Sequence, residues 1–111
     1  MTVTGNSLAM VRGDTEAITV SLTEDGVAKP LTTGDTVYMT VKRSVNKTEK
    51  VLQKIITAFT DGKALISIAP TDTADLSFGD YVYDIQINLS DGTVKTVVSS
   101  TFTIMPEVTY D

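Results

Sequence analysis

Ser99, Ser100 and the lysines are the nucleophile and base candidates left in this sequence, because it contains neither histidine nor cysteine. Serine–lysine chemistry needs a desolvated amine beside the hydroxyl. Lys95 and Ser99 share one extended segment, and at ~3.3 Å per residue they stand about 13 Å apart. They cannot pair directly. The missing histidine removes the commonest general base and metal ligand. The missing cysteine removes disulfides, zinc–thiolate sites and thiol nucleophiles, and is compatible with a reducing compartment. No enzymatic activity is expected. Asp72, Asp75, Asp80 and Asp84 bring carboxylates together along the chain, but without the alternating spacing of a calcium loop. Capping and turn formation are the ordinary work of such residues, so neither metal nor cofactor is expected.

Three short motifs have bland explanations. Arg12-Gly13-Asp14 spells an adhesion tripeptide, but Gly13-Asp14 is better read as a turn between two strands. Asn46-Lys47-Thr48 and Asn88-Leu89-Ser90 fit the glycosylation sequon. The second lies on an expected strand, and the N-terminus shows no basic start followed by an apolar run, so no secretory signal is expected.

Charge is unevenly spread. Lys42, Arg43, Lys47, Lys50 and Lys54 against Glu49 give the 42–54 segment +4, leaving −9 for the rest of a chain of net charge −5. The acidic balance gives no drive to bind nucleic acid, which depends on neutralising phosphates. The longest apolar run, 8–11, is far short of the roughly 20 residues a membrane helix needs. The basic residues, with Asp72, Asp75 and Asp80 as an acidic counterpart, are the candidate assembly contacts. Opposite patches on one small domain favour head-to-tail contact and a homo-oligomer.

These side chains must be positioned by strands, because the dominant pattern has period two. Ile18, Val20 and Leu22 alternate with polar residues, as do Val37, Met39 and Val41. In 81–89, Tyr81, Tyr83, Ile85, Ile87 and Leu89 point one way and Asp84, Gln86 and Asn88 the other. Strands are expected near 7–12, 16–22, 36–42, 51–59, 64–68, 81–89 and 93–104, the last long enough to need a bulge or bend. Asp25-Gly26, Asp61-Gly62 and Asp91-Gly92 suit tight turns. The last two are expected to close the central hairpins. Pro30, Pro70 and Pro106 fall outside every strand. In 70–79, Thr71 or Asp72 is expected to cap one helical turn that drops Leu76 into the core. A chain of 111 residues supports one core. The expectation is therefore a single domain over 1–111, a seven-stranded antiparallel immunoglobulin-like β-sandwich with Greek-key connections. Gly79-Asp80-Tyr81-Val82-Tyr83 has the spacing of a tyrosine corner, with the Tyr81 hydroxyl bonding upstream backbone and Tyr83 at the usual position of the disulfide cysteine.

The segments VRGDTEAITVSL, DGVAKPLTTGDTVYMTVKRS and ITAFTDGKALISIAPTDTADLSFGDYVYDIQINLSDGTVKTVV, with the closing PEVT, resemble small phage and prophage tail proteins. The nearest is the N-terminal immunoglobulin-like domain of phage baseplate upper proteins. The resemblance runs from about Val11 to Thr109 and consists of turn and strand signatures. It implies a virion structural protein of tail or baseplate, made in the bacterial host cytoplasm, that packs against other virion proteins and has no active site. The chain ends two residues after Thr109, where a baseplate upper protein continues, which suggests an adaptor, decoration or accessory protein. The alternative is a carbohydrate- or surface-binding accessory domain. Such faces usually display aromatic rings, and this chain has no tryptophan, three Phe and four Tyr, which favours the structural reading.

Overall fold

Alternation becomes burial strand by strand. The computed structural model describes residues 7–24, 26–44 and 49–106. Its elements are β1 (Leu8–Val11), β2 (Glu16–Val20), β3 (Leu22–Glu24), β4 (Val27–Lys29), β5 (Thr36–Lys42), β6 (Lys50–Ile56), β7 (Ala64–Ile68), α1 (Pro70–Thr73), β8 (Gly79–Asn88) and β9 (Val94–Met105). The fold is all-β, 60% strand and 4% helix among the described residues. On β8 the inward side chains Tyr81, Tyr83, Ile85 and Ile87 are buried, while Asp84 is exposed. Val37, Met39 and Val41 of β5 are fully buried, as are Ala64, Ile66 and Ile68 of β7. A β-branched or aromatic residue at every second position fills one face of a pleated sheet and leaves the other polar.

Two sheets share that core. The larger has five strands in the order β1-β9-β8-β5-β6, and the smaller pairs β2 with β7. Ile18 and Val20 of β2 meet the inward residues of β5 and β8 in one apolar cluster. Tyr83 packs edge-on against Phe102, with ring centroids 6.2 Å apart and planes at 79°, a favoured aromatic geometry.

The structure differs from the sequence expectation in four respects. Among the described residues there are nine strands rather than seven, because the chain breaks at Ser21 and adds the short hairpin β3–β4. Pairing is not wholly antiparallel: β1 runs parallel to β9, Leu8 opposite Phe102. The Asp61-Gly62 turn closes no strand hairpin, since β6 pairs with β5 and β7 with β2. Only Thr60 and Lys63 bridge beside it, and the chain crosses between sheets there while half-buried Phe59 packs on the core. Asp61 and Gly62 do have the positive φ of a tight turn, 54° and 75°. A Cβ on Gly62 would lie 2.7 Å from the Pro30 side chain, so both φ and space require glycine. Finally, the residue capping α1 is Ala69. Asp72, two positions beyond Pro70, reaches back to accept the Ala69 N–H at 2.7 Å. Proline at the first helical position favours this register.

Other expectations are met. The Asp91-Gly92 turn joins β8 to β9, with the Leu89 N–H donating to the Thr93 carbonyl at 2.7 Å. The long last strand carries a bulge: Ile85 faces Val98 and Gln86 faces Thr96, leaving Val97 without a ladder partner. The Tyr81 hydroxyl donates to the Ser77 carbonyl at 2.8 Å, the upstream bond expected of it. Leu76 is partly buried against the core, and Thr73 is fully buried, accepting the Gly13 N–H at 2.9 Å. No described helix is long and apolar enough to cross a membrane.

Candidate functional site

The outward half of the same alternation builds a polar surface groove. Between β6, β5 and β8 the five-stranded sheet holds an open groove of about 290 Å3. From β5 come Tyr38, Thr40 and Lys42, and from β6 Lys50 and Gln53. Asp84, Gln86 and Asn88 of β8 complete it. Ladder register sets their order: Tyr38 lies between Ile55 and Gln86, Thr40 between Gln53 and Asp84, and Lys42 between Lys50 and Val82. A smaller depression of about 160 Å3 shares Thr40, Lys42 and Asp84 and extends to Ser99.

The groove's side chains are incompletely paired. Gln53 donates to the Thr40 hydroxyl at 3.1 Å, and Lys50 donates to the Gln53 carbonyl oxygen at 3.5 Å. Among the described residues neither the Lys42 nor the Asp84 side chain has a hydrogen bond or ion pair. The Oδ1 of Asn88 is the buried side-chain polar atom without a partner among those residues.

Charges that separate along the sequence interleave in space. Lys54 points away from the groove and pairs with Asp72 at 2.7 Å. That ammonium and the Ala69 N–H hold the Asp72 carboxyl below its ordinary pKa, against the opposing effect of burial. Lys42 and Lys50 lie on the outer sheet face with Asp84 and Asp80, and Asp80 accepts a hydrogen bond from Thr103 at 2.7 Å. Arg43 lies over the Tyr81 ring, 5.6 Å from its centroid. Asp75 is exposed beyond α1. Lys47 lies outside the described residues, as does the sequon Asn46-Lys47-Thr48.

The remaining motifs have structural partners. Arg12-Gly13-Asp14 forms a turn, with the Asp14 N–H donating to the Val11 carbonyl at 3.1 Å and Gly13 at φ 83°. The Arg12 guanidinium lies 4.2 Å from the Phe78 ring centroid, a cation–π stack that holds it against the domain. Asn88 is half-buried on β8, paired in register with Thr36 and Val94. Lys95 is in register with Ile87 and Ser99 with Asp84, so the bulge sends them to opposite faces of β9. Among the described residues no three carboxylates cluster as a metal site.

Sequence reasoning passed over Tyr38, Thr40, Gln53, Gln86 and Asn88 because they occupy the polar half of each strand, ordinarily just solvated. Alternate carboxylate and carboxamides in Asp84-Ile85-Gln86-Ile87-Asn88 were the available signal. No protein-family model matches the chain, and no curated protein matches it either.

Proposed function

We propose that this protein is a non-enzymatic structural module of a phage or prophage tail or baseplate, acting through contacts with copies of itself and with other virion proteins. The module is read as an immunoglobulin-like Greek-key sandwich. Support comes from the order β1-β9-β8-β5-β6 opposite β2-β7, and from the Tyr81–Ser77 bond at the entry to β8. The turn and strand resemblance to the N-terminal domain of baseplate upper proteins points the same way.

The observation that carries assembly is the free side of β7. Among the described residues nothing pairs with it there. Ala64-Leu65-Ile66-Ser67-Ile68 has no charge, no proline and no bulge, and Leu65 is 55% exposed. Edge strands of monomers are normally blunted by such devices. Edge strand β6 carries them, with Lys50, Lys54 and an extra residue at Val51. An unguarded edge suits antiparallel addition of β7 from a second copy.

Sedimentation velocity across a concentration series tests this reading. The protein should associate, and Leu65→Lys should leave a monomer of unchanged melting temperature. A monomer at every concentration, or an oligomer indifferent to Leu65→Lys, would contradict it.

A further inference from the structure

We infer that the groove on the outer face of the five-stranded sheet binds a small hydroxyl-rich ligand carrying one anionic group, of the class of a sugar acid. The inference goes beyond the assembly reading and uses a different surface, since β7 belongs to the other sheet.

The groove has two chemically distinct parts. At one end Lys42 and Lys50 face each other directly across the β5–β6 ladder. Like charges so placed repel, and neither ammonium has a carboxylate within ion-pair distance among the described residues. A carboxylate arriving between them relieves that repulsion and gains charge-assisted hydrogen bonds. Next along the groove, Asp84 offers two unpartnered acceptor oxygens beside the carboxamides of Gln53 and Gln86. A carboxylate accepts and a carboxamide both donates and accepts, so this set matches vicinal hydroxyls, which also do both.

Tyr38 stands beside Gln86 and Ile55 and gives the far end of the groove an aromatic wall. Asn88 lines the same end with its unpartnered Oδ1, an acceptor that a ligand hydroxyl can satisfy after rotation of the amide. An open groove of about 290 Å3 lies just below the usual range of roughly 300–1,000 Å3, which limits the occupant to about one ring. Asp84 within the groove and the net charge of −5 oppose a polyphosphate or nucleic-acid strand. The preference is therefore for a singly charged polyol.

The test is an amide-resolved NMR titration of the full chain with three probes, D-glucuronate, D-glucose and acetate. A ligand of this size with so few charged contacts should bind with Kd of about 1 mM. Glucuronate should shift resonances of 38–42, 50–53 and 84–88, and bind at least about tenfold more tightly than glucose or acetate. Lys42→Gln with Lys50→Gln should reduce glucuronate to the level of glucose. Asp84→Asn should weaken glucose and lower the ratio of glucuronate to acetate affinity, because losing the carboxylate charge favours both anions equally while removing the hydroxyl acceptors. Lys63→Gln, exposed and outside the groove, should change nothing. Melting temperatures within about 2 °C of the parent keep the comparison free of folding effects. Equal binding of acetate and glucuronate would reduce the site to a lysine pair. Equal binding of glucose and glucuronate would remove the anionic end. Absence of shifts in these segments at 20-fold the expected Kd would overturn the inference, while leaving association through β7 to stand or fall by sedimentation.

Discussion

Asp35→Asn should destabilise the protein through two hydrogen bonds, one that closes its own turn and one that ties that turn to the distant turn at Ser90. The Asp35 side chain is 5% exposed; its Oδ2 accepts the Thr32 N–H and its Oδ1 the Ser90 N–H, each at 2.9 Å. Its carboxyl is held below the ordinary pKa by the Thr32 and then the Ser90 backbone bond, with burial opposing. An asparagine keeps one acceptor and turns an NH2 toward the other N–H. Bonds to a charged acceptor contribute about 1.5–3 kcal/mol each, and a stranded donor costs about 1–3 kcal/mol. One neutral bond survives and the site lies at the rim between turns, so the net loss should be about 2–3 kcal/mol. At about 4 °C per kcal/mol for a domain of this size, the melting temperature should fall by about 8–12 °C at pH 7. Because the folded-state pKa lies below the ordinary aspartate value, the stabilisation is fully present above that ordinary value. It is lost as pH falls through the folded value, so the deficit of the variant should shrink toward pH 2. Thermal melts of both proteins from pH 7 to pH 2 measure this. A loss under 2 °C at pH 7, or a deficit as large at pH 2 as at pH 7, would refute the reasoning.

Tyr81→Phe removes only the donor to Ser77, and should cost about 1 kcal/mol, or about 4 °C by thermal melt. Ile85→Asp places a charge at a fully buried position and should abolish the cooperative transition, whereas Gln86→Lys on the opposite face should cost about 0.5 kcal/mol or less. Lys54→Met removes the ion pair to Asp72; both partners remain part-exposed, so urea melts should show a loss of no more than about 1 kcal/mol, smaller still at 1 M salt.

The inward face of the sandwich was legible because a buried strand face is written in every second residue. Tyr81, Tyr83, Ile85 and Ile87 take the side their spacing indicates, and Asp91-Gly92 closes the hairpin its residues suit. What the alternation does not encode is which strand lies beside which. Asp61-Gly62 makes a tight turn whether the flanking strands pair or part; here Phe59 packs on the core and Gly62 fits closely on Pro30 as the chain passes from one sheet to the other. The groove was hidden for a related reason. Lys42 and Lys50 are eight positions apart in sequence, and register across a loop and a bulge makes them neighbours. Lys54, close to both in sequence, turns instead to Asp72 because its register partner is the inward Met39.

Quantitative mass spectrometry of virus-like particles, purified by density gradient from the organism that carries this gene, tests the proposed role most directly. The account predicts that the chain co-purifies with the particles in a fixed ratio to the other tail proteins, at several copies per virion. Recovery only from the soluble lysate, with none in intact particles, would contradict it.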